Sequence, residues 1–217
     1  GSEMCIRDSM SIAQKMYEGI DLGGQMQGLI TYMRSDSTRL SDLFVKDTLA
    51  YIQDEYGKEY VGKAHTKNKA NTQDAHEAIR PSLPELSPAK VKESLTSDQF
   101  KLYRLIWERF IASQMASALL DTVNAQIGAN GYTFKASGFT VKFDGFTVLY
   151  VEGKDDEEKE DGVLPELTEQ DKLLLQDVGG SQHFTQPPPR YTEASLIKVL
   201  EENGIGRPST YCLLYTS

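Results

Sequence analysis

Cysteine is almost absent: the 217-residue chain has two, Cys5 and Cys212, both near an end. Its body therefore offers no disulfide framework and no thiolate set for a zinc ribbon. Histidine is also scarce, and His65, His76 and His183 are too scattered for a local metal motif. No apolar run approaches the roughly 20 residues needed to cross a bilayer. This predicts a soluble protein with no membrane partner. No internal repeat and no Ser-His-acid order is present. "GKEYVGKA", Gly57 to Ala64, has the spacing of a phosphate-binding loop, but Ala64 stands where a hydroxyl residue would hold magnesium. The segment also follows a predicted helix instead of a strand, so no ATP site is expected there.

The ends read as foreign sequence. "GSEMCIRDS" has no basic start and apolar core of a targeting signal. It translates the DNA string GGC TCG GAG ATG TGT ATA AGA GAC AG. The terminal "CLLYTS" translates TGT CTC TTA TAC ACA TCT, which carries the reverse complement of that string. Residues 1–9 and 212–217 are therefore expected to be adaptor-derived tails on an internal fragment of a longer chain, and they contribute nothing to the expected fold.

The net charge is −9 with 39% hydrophobic residues, enough apolar content for a packed core. Residues 152–171 hold ten acids and two lysines, a net of −8, which leaves the rest of the chain near neutral. The acidic run reads as a solvated loop and neither supports nor excludes a DNA partner elsewhere.

Hydrophobic period divides the chain. Val45, Leu49, Ile52 and Tyr56 recur at helical spacing after a Ser41 cap and before Gly57, predicting a helix. A polar, lysine-rich loop is expected to follow it. Phe100, Tyr103, Trp107, Phe110 and Met115 form a second stripe, predicting a helix from Ser97 to about Leu119. At Thr122 the pattern alternates, and Asn130-Gly131, Ser137-Gly138 and Asp144-Gly145 are each hairpin signals. A meander of three or four strands is expected. "DKLLLQDVGG" suggests a further strand or two before an extended Pro187–Pro189 connector. Thr192 caps a predicted helix ending near Asn203-Gly204, and Pro208 suits the first turn of another. The expected class is α+β: a helical and mixed domain over 10–120, a β-rich segment over 121–189 and the start of a helical segment over 190–211.

The chemistry concentrates in "GLITYMRSDSTRLS", residues 28–41. A phenol has a pKa of about 10 and is mostly protonated at neutral pH. A nearby guanidinium favours the phenolate and can hold a phosphate by two hydrogen bonds. On an extended backbone Tyr32 and Arg34 project to one face, suited to attack on a phosphodiester with Tyr32 as nucleophile and Arg34 steadying the charge. Spacing alone favours the plainer reading, a core tyrosine beside a surface arginine.

Three segments in order, "GLITYMRSDSTRLS", "DAHEAIRP" and "RYTEASLIKVLEENGIGRPSTY", resemble those of the bacterial type IA DNA topoisomerases, and the likeness extends over residues 10–211. The resemblance implies a magnesium-dependent, ATP-independent enzyme. It would cleave one DNA strand through a 5′-phosphotyrosine bond at Tyr32, pass a strand and religate, relaxing negative supercoils. It assigns Arg34 and His76 to the catalytic group, and Ser35, Arg80, Arg207, Ser209 and Thr210 to DNA contacts. Glu77 and Arg80 equally suit a structural pair, and His76 equally suits a loop histidine that fixes local structure. Ser35 stands where the family usually has threonine, which keeps the hydroxyl. The implied architecture is a tyrosine-bearing domain, an antiparallel β-rich arch and the start of a helical segment gripping single-stranded DNA. The magnesium ligands are implied to lie in an N-terminal domain outside this chain, so the fragment alone is expected to be inactive. The implied partners are single-stranded and negatively supercoiled DNA, and the enzyme is expected to be a monomer. The competing reading is a non-catalytic single-stranded DNA-binding module.

Overall fold

The computed structural model describes residues 6–35, 37–63, 76–151, 167–207 and 210. The chain divides into two units, one of residues 1–117, 145–151 and 191–217, the other of residues 118–144 and 152–190.

The first unit is built on helices. Helix α1 (Ile6–Glu18) begins inside the segment expected to be a tail and stops at Gly19, whose φ of 132° no other residue adopts readily. A two-rung ribbon, β1 (Ile20–Asp21) with β2 (Met26–Gln27), turns the chain back toward α1. Helix α2 (Asp42–Tyr56) starts after Ser41, whose carbonyl accepts from Val45 while its side chain makes no cap. It ends as expected at Gly57, φ 109°. Its buried face is Phe44, Val45, Thr48 and Ile52, with Leu49 and Tyr56 only half-buried. The expected stripe is thus rotated. Thr48 enters the core because its hydroxyl donates to the Phe44 carbonyl in the preceding turn, at 2.8 Å, and so meets its polar need inside the helix.

After a short helix α3 (Pro88–Val91), helix α4 (Ser97–Gln114) is started by a capping box in which Thr96 and Gln99 satisfy each other's amides. Tyr103, Trp107 and Phe110 are buried, each worth about 1.5–3 kcal/mol of apolar transfer. The two polar rings reach carbonyls beyond the helix: Tyr103 Oη donates to Leu86 at 2.6 Å and Trp107 Nε1 to Pro84 at 3.0 Å. The helix stops at Gln114, short of the expected Leu119, because Met115 leaves it to bridge Val61. Gly62 donates to Gln114 O at 3.0 Å and Ala116 to Tyr60 O at 2.8 Å. The stretch resembling a phosphate loop is accordingly a 3-10 turn, Lys58–Tyr60, leading into a bridge. The lysine-rich loop beyond it falls largely outside the described residues. Helix α5 (Glu193–Glu202) carries the expected Thr192 cap, here a box with Ser195, and Gly204 follows at φ 68°.

Among the described residues, the second unit holds one long antiparallel hairpin in place of the expected meander. Strand β3 (Leu119–Ala129) pairs with β4 (Tyr132–Phe143) around Asn130-Gly131. Both turn residues have positive φ, 48° and 83°, as a two-residue hairpin of matching twist requires. Ser137-Gly138 does not turn. It lies within β4 opposite Asn124 and Val123, and the Ser137 hydroxyl donates to Asn124 Oδ1 at 3.0 Å. Ladder pairing with β3, continuous through this stretch, outweighs a local turn preference there. Asp144-Gly145 ends β4 and opens a 3-10 turn, Gly145–Val148. Residues 171–190 form no strand, contrary to expectation. Most of the acidic run lies outside the described residues.

Candidate active site

Two segments far apart in sequence run side by side in the first unit. Leu29 O accepts from Ser82 N at 2.9 Å, Ile30 bridges Pro81, and Thr31 N donates to Arg80 O at 3.0 Å. The Thr31 hydroxyl donates to Ala78 O at 2.7 Å and accepts from Arg80 N at 3.0 Å. Farther along, Ser35 Oγ donates to Glu77 O at 2.8 Å, and Ala78 N donates to Arg39 O at 2.8 Å. The "AHEAIRP" stretch is thereby held along the tyrosine stretch from both ends. Such a frame fixes side chains better than either loop alone, since each loop's backbone groups find partners in the other.

Within this frame the backbone bends at Met33 and Arg34 and is not extended as the spacing argument assumed. Met33 turns into the core, 3% exposed, while Arg34 faces solvent and Tyr32 is half-buried. Met33 gains by entering the core as an apolar side chain. Among the described residues, neither the Tyr32 hydroxyl nor the Arg34 guanidinium has a hydrogen-bond partner. Ser35 differs: besides donating to Glu77 it accepts from Ser37 N at 3.1 Å, so its hydroxyl ties the turn together.

Two rings flank the Tyr32 phenol. The His76 imidazole stacks on it with centroids 5.9 Å apart and planes 28° apart. Tyr17, from the last turn of α1, meets it edge-on at 5.5 Å and 69°. Sequence pattern singles out neither Tyr17 nor Thr31 as a site residue. Thr31 carries a signal in hindsight as another hydroxyl beside the tyrosine, whereas Tyr17 carries none.

Of the two readings open for Glu77 and Arg80, the structure displays the pair. Arg80 Nε and Nη2 both donate to Glu77 Oε2, at 3.0 and 2.6 Å, and Nη1 donates to Pro81 O at 3.0 Å. The guanidinium carbon also sits 3.7 Å from the centre of the Phe44 ring. This arginine joins the loop to α2.

Tyr32, Ser35, His76 and Arg80 therefore form one cluster with Arg34 on its exposed side. Arg207 and Thr210 form a separate turn beyond α5, in which Arg207 N donates to Thr210 Oγ1 and Thr210 N to Arg207 O, both at 2.8 Å. Ser209 lies outside the described residues. Among the described residues, no three His, Cys, Asp or Glu side chains group as a metal site. No helix is long and apolar enough to cross a membrane among them.

A family model described as DNA topoisomerase matches residues 4–213. Among solved structures, the chain is similar to full-length topoisomerase I from Thermotoga maritima, seen in a monoclinic crystal form. The identity is 35% and the TM-score 0.74, over 95% of this chain and 33% of that one. The chain thus spans about a third of the length of that protein.

Proposed function

The chain belongs to the type IA DNA topoisomerase family, and on that premise we propose that it carries the strand-cleaving tyrosine of such an enzyme. The observation that carries this reading is the His76 ring stacked on Tyr32 inside the two-segment frame. A nucleophile needs a restricted orientation, and the frame provides one.

In the proposed reaction Tyr32 Oη attacks a backbone phosphorus of one DNA strand. The bond from phosphorus to the 3′ oxygen breaks, and that oxygen leaves with a proton as a 3′-hydroxyl. The phenol proton is released, and the 5′ phosphate stays on the tyrosine as a diester. After strand passage the 3′-hydroxyl attacks the same phosphorus and restores the phenol. One phosphodiester is exchanged for another in each direction, so ATP has no step to drive. Arg34, exposed and without a partner among the described residues, suits bidentate contact with the phosphate charge.

The substrate in this reading is negatively supercoiled DNA with single-stranded character. Arg207, Ser209 and Thr210 would contact its backbone. Ser35 and Arg80, whose polar atoms serve the frame, are assigned to holding the site instead of to DNA. Magnesium has no fitting ligand group among the described residues. Its proposed place is in a part of the intact enzyme beyond this chain, and no step above passes through it. The chain by itself is proposed to lack relaxation activity.

The test uses a full-length enzyme containing this chain and a labelled single-stranded oligonucleotide, with denaturant added to trap the covalent adduct. Tyr32→Phe is expected to abolish the adduct while binding the oligonucleotide as before. An adduct that survives this substitution, mapped to another residue, would overturn the assignment. Magnesium-dependent relaxation by the chain alone would overturn its proposed inactivity.

A further inference from the structure

The last turn of α1 is held tightly against the run that leads into Tyr32. Leu29 N donates to Met16 O at 2.8 Å. A Cβ at Gly28 would lie 3.0 Å from the Tyr17 carbonyl oxygen, so a residue without a side chain lets the two backbones approach. Met16 is buried in the core and anchors the turn. Tyr17, its neighbour, is 43% exposed, yet its ring stands edge-to-face with the phenol of Tyr32. Tyr17 belongs neither to the buried core nor to the side chains packed against it, so core packing does not account for this contact. It is explained by what it touches.

We infer that Tyr17 is a positioning residue for the Tyr32 nucleophile, restricting the phenol through its edge-to-face ring contact. The inference rests on the proposed role of Tyr32. An edge-to-face pair has a preferred geometry, because the positive edge of one ring faces the negative face of the other. A residue of similar bulk without a ring lacks that preference. Tyr17 acts through Tyr32 and carries no proton in the reaction.

The test compares Tyr17→Phe, Tyr17→Leu and Tyr17→Ala in the full-length enzyme, with Tyr32→Phe as the blank. Three quantities are read: the single-turnover rate of adduct formation on an oligonucleotide, the Kd for that oligonucleotide, and the Tm. Tyr17→Phe is expected to cleave at the parent rate. The Leu and Ala variants are expected to slow cleavage by about three- to tenfold, the size of one aromatic pair, with Kd and Tm close to the parent.

Equal rates in all three variants overturn the inference. So does rescue by Leu as complete as by Phe, which would mean that bulk alone matters. A changed Kd with an unchanged cleavage rate also overturns it, and would make Tyr17 a DNA contact. If the parent enzyme forms an adduct at a residue other than Tyr32, the proposed function fails together with this inference. A Tyr32 adduct indifferent to Tyr17 sinks the inference alone. Should Tyr17→Ala fold poorly, the Phe and Leu pair decides, since both keep the helix and most of the volume.

Discussion

The hydroxyl of Thr31 donates to the carbonyl of Ala78 at 2.7 Å and, through the same oxygen, accepts from the amide of Arg80. One side chain next to the candidate nucleophile thus satisfies two backbone groups of the opposing loop. Thr31→Val keeps the shape and removes both bonds. It is expected to lower unfolding free energy by about 1–3 kcal/mol, because those groups lose their partner in a half-buried setting. Urea unfolding of the chain measures this, and Thr31→Ser should recover most of the loss. A Val variant as stable as the parent would show that the frame stands without this hydroxyl.

Arg80 spans Glu77, the Pro81 carbonyl and the Phe44 ring. Replacing it by Ala leaves the Glu77 carboxylate without its pair, and a cost of about 2–4 kcal/mol is expected. Arg80→Lys should restore little, since an ammonium cannot reproduce the planar fork. The same urea titration reads both. If DNA contact were its main task, stability would hardly change and only the affinity for the oligonucleotide would fall.

Gly62 lies where the turn after α2 meets the end of α4. An added Cβ would come within 2.5 Å of the backbone oxygens of Gln114 and Met115. Backbone cannot move aside as a flexible side chain does, so Gly62→Ala is expected to cost about 1–3 kcal/mol. Thermal unfolding tests it. An unchanged Tm would mean that the turn and the helix end separate without loss.

Alkaline pH should unfold the chain earlier than its charge alone suggests. Burial, and then the charges of Glu55, Tyr56 and Glu85, push Tyr51 up to about 12. Burial chiefly, then Tyr51, pushes Tyr103 up as well. In the unfolded chain these phenols lose their protons near about pH 10. Between roughly pH 10 and 12 the unfolded state therefore binds fewer protons than the folded one, and stability falls as pH rises. Below pH 10 the contribution is present in full. Tyr51→Phe should make the fall of Tm between roughly pH 10 and 12 shallower. An identical fall in both proteins would refute the contribution of Tyr51.

Local signals were legible wherever the competing forces were also local. Gly57 and Gly204 end helices because positive φ is available to them, and Thr96 and Thr192 start helices through bonds that reach only three residues. Asn130-Gly131 makes a hairpin for the same reason. Ser137-Gly138 carries a similar signal and makes none, because its partners on β3 outweigh it. The rotated face of α2 shows the limit in another way. Thr48 counts as polar in a pattern, yet its hydroxyl is satisfied by its own helix and the residue is buried.

The sequence by itself determined the family, through three ordered motifs, and with it the candidate tyrosine and its arginine. It also determined both ends of α2 and α5 and the start of α4, since caps and terminal glycines act over a single turn. Only the tertiary structure decided that Arg80 faces Glu77 and Phe44, that Ser35 and Thr31 lock one loop to the other, and that Tyr17 meets Tyr32. Those contacts join residues from separate elements. Their geometry depends on how Met16, Leu29 and Met33 share one core, and no spacing along the chain encodes that packing.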